Sequence, residues 1–407
     1  MDYTKLYHDR KAFEKETLQE RMALFGFKNM ARMELFLWDL ELFLQIQELL
    51  GDRVVLKGGA ATQFYLPREA QRTSVDIDMV FCGTKAEADA VLKRIEEKLG
   101  TGELLKFREH IPRNPKTHLP LHTYYVDIPS EMTGRESHTL NGDRGVQELK
   151  AEFIIEPERQ EFTRKTGENI FAVDSKWEYQ ILPVSSLFAD KLTTIGSETI
   201  GVQNDRMDEQ VKQFYDVMML TKYCLEDLDV NQVYEKYCRR AKQEWQDRKP
   251  GEAYDLENII ADARRQLYRY SMADSGEDVE LKKYINDFKG LYLNSKVEFA
   301  PQAVACGAAM IRLMYDLLFQ DRDWGKVRKA LEMEGKLALI RYEGREKGEK
   351  VRELRERLIR EFGSYSAIAP EILKGKNLKR VFWAIADVDN LDEIDRAIDQ
   401  VCGSSGG

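Results

Sequence analysis

Asp76 and Asp78 stand two residues apart in the run Ser74-Val75-Asp76-Ile77-Asp78-Met79-Val80-Phe81. The run alternates polar and apolar residues before turning fully apolar, which is the period of a strand, so both carboxylates project from one sheet face. Two acids so placed suit a pair of divalent cations, one on the phosphates of a nucleotide and one at an attacking hydroxyl. Upstream, Val54-Val55-Leu56 ends at Lys57-Gly58-Gly59 and passes into Ala60-Ala61-Thr62-Gln63-Phe64, a strand, a glycine turn and the start of a helix. Glycine lets backbone N–H groups approach phosphate oxygens with no Cβ in the way, and a helix start favours negative charge at the same place. A pair of acids or of glycines alone is a weak signal. The ordered combination with Arg72-x-Ser74-x-Asp76-x-Asp78 is specific, and it points to chemistry on a nucleoside triphosphate.

The competing readings are structural. Asp76 and Asp78 could be solvated strand residues, but their strand becomes apolar at once, and unpaired carboxylates at a buried edge would be costly. Ser74 reads as a hydrogen bonder at the strand start rather than a nucleophile, since no histidine motif accompanies it. Arg72 has the alternative of pairing with an acid or a helix end. His118 and His122 have a zinc-like spacing, yet Pro120 between them breaks the helix that would align the rings.

Several elements must position these residues. The pattern from about Asp9 to Leu50 is helical, with Met33, Leu37, Leu40 and Leu44 on a stripe that Phe36, Phe43, Ile46 and Leu50 widen. Residues 85–100 predict a helix closed by glycine. Residues 103–118 read as a strand edge running into a basic loop with Lys106, Arg108, Arg113 and Lys116, able to guide an RNA end. Two more strands are expected at Leu121–Ile128 and Val146–Ile155, and the first domain closes near Pro157.

Of ten prolines, seven fall by residue 183, so the back half reads as helical. Helices are expected over 184–196, 206–224, 229–247, 254–271, 279–291, 303–319, 324–336, 346–362 and 391–402. The interleaved charges from Arg341 to Glu361 read as a solvated helix face. The expected organisation is α+β: N-terminal helices over 1–50, a mixed-sheet domain over 51–160, an α-helical domain over 175–402, and a flexible tail over 403–407.

With 407 residues, Lys+Arg 62 against Asp+Glu 71 and a net charge of −9, the chain is no general polyanion binder. Five scattered cysteines without a CxxC pair argue against a disulfide framework or zinc ribbon and fit a reducing, cytoplasmic setting. No signal peptide or apolar span is evident, so no membrane is expected.

The stretch Leu56-Lys57-Gly58-Gly59-Ala60-Ala61 with Arg72-Thr73-Ser74-Val75-Asp76-Ile77-Asp78 resembles the first motif of the DNA polymerase β-like nucleotidyltransferase superfamily, and within it the AbiEii/AbiGii toxin family. Leu187-Phe188-Ala189-Asp190-Lys191-Leu192 resembles a second motif. Arg206 with Lys212-Gln213-Phe214-Tyr215-Asp216 is similar to a third, and the resemblance spans about residues 50–222. Gln213 departs from it, standing where the family commonly has Asp.

The resemblance implies a nucleotidyltransferase that moves a nucleoside monophosphate from an NTP to the hydroxyl of a tRNA 3′ end or a protein, as the toxin of a type IV toxin–antitoxin or abortive-infection system with a cognate antitoxin. It implies Asp76 and Asp78 as ligands of two Mg2+ ions, which Mn2+ can replace. It also implies a third carboxylate from a later strand, Glu152 first and Asp127 second. Lys57, Gly58, Gly59, Arg72, Ser74, Lys191 and Lys212 would meet the nucleotide, and Asp216 would orient Lys191 or the acceptor. A non-catalytic NTP- or RNA-binding module on the same fold is the rival, and a helical scaffold with the front domain as an appendage is another.

Overall fold

The computed structural model describes residues 3–111, 120–132, 139–141, 144–340 and 344–403. The chain divides into two compact units. The first comprises Met1–Lys191, Gln243–Glu252 and Asp287–Val297, and the second Leu192–Lys242, Ala253–Asn286 and Glu298–Gly407.

The first unit opens with short 3-10 turns at Tyr3–Lys5 and Arg10–Phe13, followed by α1 (Lys15–Phe25) and α2 (Met30–Leu50). The helical pattern expected from about Asp9 to Leu50 is thus divided into two helices. Gly26 takes a left-handed conformation at φ +81°, which ends α1, and the Asn29 side chain accepts from the Arg32 N–H at 3.1 Å to start α2. The stripe expected on α2 is the core itself: Phe36, Leu37, Leu40, Phe43 and Ile46 are fully buried.

Next come β1 (Val54–Lys57), α3 (Gly58–Gln63), β2 (Asp76–Cys82), α4 (Lys85–Leu99), β3 (Phe107–Glu109), β4 (Leu121–Ser130), β5 (Thr139–Asn141), β6 (Arg144–Glu156), β7 (Thr163–Gly167), β8 (Ser175–Ile181) and α5 (Val184–Thr193). Thr84 and Glu87 cap α4 reciprocally, so it begins where the sequence says. The strands form one mixed sheet in the order β3-β4-β6-β2-β1-β8-β7, with β5 paired to β6. β2 runs parallel to β6 and antiparallel to β1, which is parallel to β8. β2 is thus a central strand and not a buried edge. The sheet also runs past residue 160, because β7 and β8 complete its far side. The polar, exposed run of β7, Thr163–Gly167, hides it from hydrophobic patterning, whereas β8 alternates Trp177, Tyr179 and Ile181, a strand signal that was passed over.

One sheet face carries the core: Ile77, Met79 and Phe81 of β2 and Leu149, Ala151 and Phe153 of β6 are fully buried together with the apolar residues of α2. By the alternation of a strand, Asp76, Asp78, Lys150 and Glu152 take the opposite face.

The remaining helices are α6 (Met207–Cys224), α7 (Val230–Arg248), α8 (Leu256–Ser271), α9 (Val279–Tyr292), α10 (Pro301–Phe319), α11 (Gly325–Ile340), α12 (Gly344–Phe362), α13 (Pro370–Leu373), α14 (Leu378–Ile385) and α15 (Leu391–Gly403). All but the closing residues of α7 and α9 belong to the second unit. The nine expected helices are present within a few residues. α13 and α14 are additional, short enough that a helical period has no room to show. Among the described residues, α10 is the one helix long and apolar enough to cross a membrane, and 72% of its apolar window is buried within the protein.

Candidate active site

β1 ends at Lys57, and the chain turns through Gly58 at φ +67° into α3, a helix of six residues. Register places Lys57 opposite Asp78 on one side and Glu152 opposite Asp78 on the other. Gly58 is packed so closely on this row that a Cβ added to it would lie 2.0 Å from Asp78 Oδ2. A Cβ on Gly59 would lie 2.6 Å from Arg72 Nη2 and 3.0 Å from Ser74 Oγ. Both of those residues are buried, and the Arg72 N–H donates to Gln63 Oε1 at 2.8 Å. The fold thus brings Gly58, Gly59, Arg72, Ser74 and Asp78 together, because the loop from α3 to β2 folds back over the glycine turn.

Lys57 Nζ lies 2.8 Å from Asp190 Oδ2 on α5, which ties the end of β1 to the helix that carries Lys191. Lys191 is itself 4% exposed, and its charge acts on Asp78. Glu152 accepts from Thr123 Oγ1 at 3.0 Å. Asp127 sits farther along the sheet, opposite Glu148, where the Arg108 guanidinium grips it at 2.9 and 3.0 Å. Geometry therefore joins Glu152, and not Asp127, to the row of Asp76 and Asp78.

The face is acidic enough to perturb its members. Burial, then the charges of Glu152 and Asp76, push the Asp78 carboxyl up to about 7, against the pull of Lys150 and Lys191. Asp39, on α2, is 1% exposed and neither of its oxygens has a hydrogen-bond partner. Burial, followed by repulsion from Asp76 and Asp78, holds its carboxyl well above the usual range. Sequence reasoning passed over Asp39, although a lone acid in Phe36-Leu37-Trp38-Asp39-Leu40 was the signal that could have found it.

It also passed over Lys150. This side chain lies on β6 opposite Asp76, with Nζ 3.6 Å from Asp76 Oδ1 and 3.3 Å from Glu152 Oε2. Burial lowers its pKa, but the charges of Asp76, Glu152 and Asp78 outweigh burial and hold the ammonium above its ordinary value. A lysine two residues before an acid on a strand shares its face, which was the available signal.

Other expected residues are engaged differently. Lys212 and Asp216 belong to α6 in the second unit, both buried, and Lys212 pairs with Glu209 on its own helix. Lys106 pairs with Glu103 at 3.0 Å, and Arg108 with Asp127 and Glu148, so these two cations are already neutralised. Arg113, Lys116 and His118 lie outside the described residues, as do 404–407 of the expected tail. Cys82, Cys224, Cys238 and Cys306 are not in disulfides.

Whether these residues suit divalent ions depends on the donors. The Asp76 and Asp78 carboxylates are hard oxygen ligands of the kind Mg2+ takes. Yet among the described residues no three His, Cys, Asp or Glu side chains gather closely enough to hold a metal. The ammonium of Lys150 stands between Asp76 and the third acid. The set fits one divalent ion on the β2 pair and does not, as arranged, fit a second.

A mixed sheet with a glycine turn set against paired acids on a central strand is the working surface of a nucleotidyltransferase. Residues 42–317 match the sequence model of the nucleotidyl transferase AbiEii toxin family, type IV toxin–antitoxin system. The chain belongs to that family. No curated protein matches it in sequence. Among solved structures, it is similar to MenT4, a nucleotidyltransferase toxin from Mycobacterium tuberculosis H37Rv, at 14% identity and a TM-score of 0.39, over 95% of this chain and 99% of that one. It is also similar to JHP933 from Helicobacter pylori at 15% identity and a TM-score of 0.35, over 77% of this chain and 94% of the other.

Proposed function

We propose that the Asp76–Asp78 face transfers a nucleoside monophosphate from an NTP to an acceptor hydroxyl, with a tRNA 3′ end as the acceptor. The observation that carries this reading is the contact of Gly58 with Asp78. It sets a turn free of side chains directly against an acid pair, where a triphosphate and its cation would meet. Gly58, Gly59, Arg72, Ser74, Lys57 and Lys191 receive the phosphates. Asp76 and Asp78 hold a divalent ion, Mg2+ or Mn2+, which when bound neutralises phosphate charge and polarises the reacting oxygens. In the transfer, the acceptor oxygen bonds to the α-phosphorus as the bond from that phosphorus to the bridging oxygen breaks. Pyrophosphate leaves with the electron pair, and Glu152 takes the hydroxyl proton. Lys212 and Asp216 of α6 supply nucleotide binding and orientation in this reading. The activity makes the chain a growth-inhibiting toxin held in check by a cognate antitoxin.

The test supplies each NTP, labelled at the α-phosphate, with Mg2+ and total RNA, and separately with protein extract. Label should enter tRNA, and Asp76→Asn or Asp78→Asn should abolish it. Label in protein alone would replace the acceptor. Undiminished transfer by the double variant would sink the mechanism, and nucleotide binding without pyrophosphate release would leave a binding module.

A further inference from the structure

The side chain of Lys150 bridges two of the three acids that the proposed function uses. Its Cα is opposite Asp76 in the parallel pairing of β2 with β6, and the residue two further on, Glu152, is opposite Asp78. β6 is hydrogen-bonded on both sides, to β2 and to β4, so the backbone that carries Lys150 cannot retreat. Its side chain is 28% exposed, Asp76 is 30% and Glu152 22%, so the ammonium is set into the face and does not float above it.

Mg2+ draws its ligands to roughly 2.0–2.1 Å, and an ion shared by Asp76 and Glu152 would need their oxygens on one small octahedron. Contacts of 3.3 and 3.6 Å put one ammonium against both carboxylates, in the space that an ion shared by them would need. Among the described residues no three acids gather closely enough to hold a metal.

Charge points the same way. Asp76, Asp78 and Glu152 can supply three negative charges, Lys150 and Lys191 two positive ones, and Lys57 is balanced by Asp190. One divalent ion brings the face slightly positive, matched to a polyanionic triphosphate. A second ion would have to displace a tethered ammonium that stays within reach of the same oxygens.

We infer that Lys150 takes the place of one of the two divalent ions, so that the face binds a single metal at Asp76 and Asp78 and uses the Lys150 ammonium as its second positive centre. The inference rests on the proposed function and narrows it. The ammonium stands on the Glu152 side, where the acceptor hydroxyl would lose its proton. There it stabilises the oxygen that attacks without leaving its carboxylates.

Counting bound Mn2+ by electron paramagnetic resonance on the full chain tests this without an activity readout. The wild type should saturate at one ion, Lys150→Arg should also hold one, and Lys150→Met should hold two. Circular dichroism checks that each variant is folded. Two ions in the wild type, or one in Lys150→Met, would overturn the inference while leaving the proposed transferase standing. No binding by any variant, or binding by the wild type that Asp78→Asn does not weaken, would overturn both the inference and the metal reading beneath it.

Discussion

Replacing Gly58 by alanine probes the closest contact in the site. Two penalties combine. At φ +67° a side chain sits in the left-handed region, at about 1–2 kcal/mol. The new Cβ would also lie 2.0 Å from Asp78 Oδ2 and 2.8 Å from Asp78 Cβ and Cγ. The carboxylate can rotate off its rotamer at about 0.5–1.5 kcal/mol. Asp78 Cβ cannot follow, because β2 is held in register by Lys57 on one side and Glu152 on the other. Together these come to about 3 kcal/mol, some two powers of ten in the folding equilibrium and a fall in Tm of about 6–12 °C. Gly102→Ala is the control, since Gly102 has φ +61° with nothing within 4 Å and so carries the backbone strain without the collision. Thermal melts of both variants, with nucleotide transfer measured well below either midpoint, separate the two effects. Gly58→Ala should melt lower and lose transfer as completely as Asp78→Asn, while Gly102→Ala keeps it. If Gly58→Ala melted with Gly102→Ala and transferred nucleotide at the wild-type rate, the close packing of turn on acid would be refuted.

Two further predictions concern stability. Glu34 is 1% exposed and accepts from Ser130, Gln147 and the Glu131 N–H, yet burial pushes its carboxyl up from 4.5 to about 7. The folded state therefore holds this proton more tightly than the unfolded one. Its contribution is complete below about pH 4.5 and is lost as pH rises through about 7, at about 3 kcal/mol. Denaturant melts across that window should show the decline, and Glu34→Gln should flatten it; an unchanged slope would rule Glu34 out as its source. In the second unit, Asp262 accepts from the Glu198 N–H, the Thr199 N–H and Thr199 Oγ1 at 2.8–2.9 Å while 1% exposed. Asp262→Ala should cost about 2–4 kcal/mol in urea unfolding, because the orphaned donors stay buried; a loss under about 0.5 kcal/mol would mean that the turn repacks.

The acids, the glycine turn and the helical back half were legible in the chain because each rests on local chemistry. Strand alternation alone puts Asp76 and Asp78 on one face, glycine takes the left-handed conformation of Gly58 without steric cost, and the scarcity of proline after residue 183 permits helices. Tertiary structure decided what depends on register and on partners distant in sequence. β2 became a central strand only because β6 arrives parallel to it from some seventy residues away, which chooses Glu152 and leaves Asp127 to Arg108. The same register carries Lys150 in between Asp76 and Glu152. Local pattern puts that lysine on the face of Glu152 but says nothing of Asp76 and Asp78, whose charges reach it only through the pairing of β6 with β2. The polar strand β7 escaped sequence reading for the same reason: what holds it, its pairing with β8, is supplied from elsewhere in the fold.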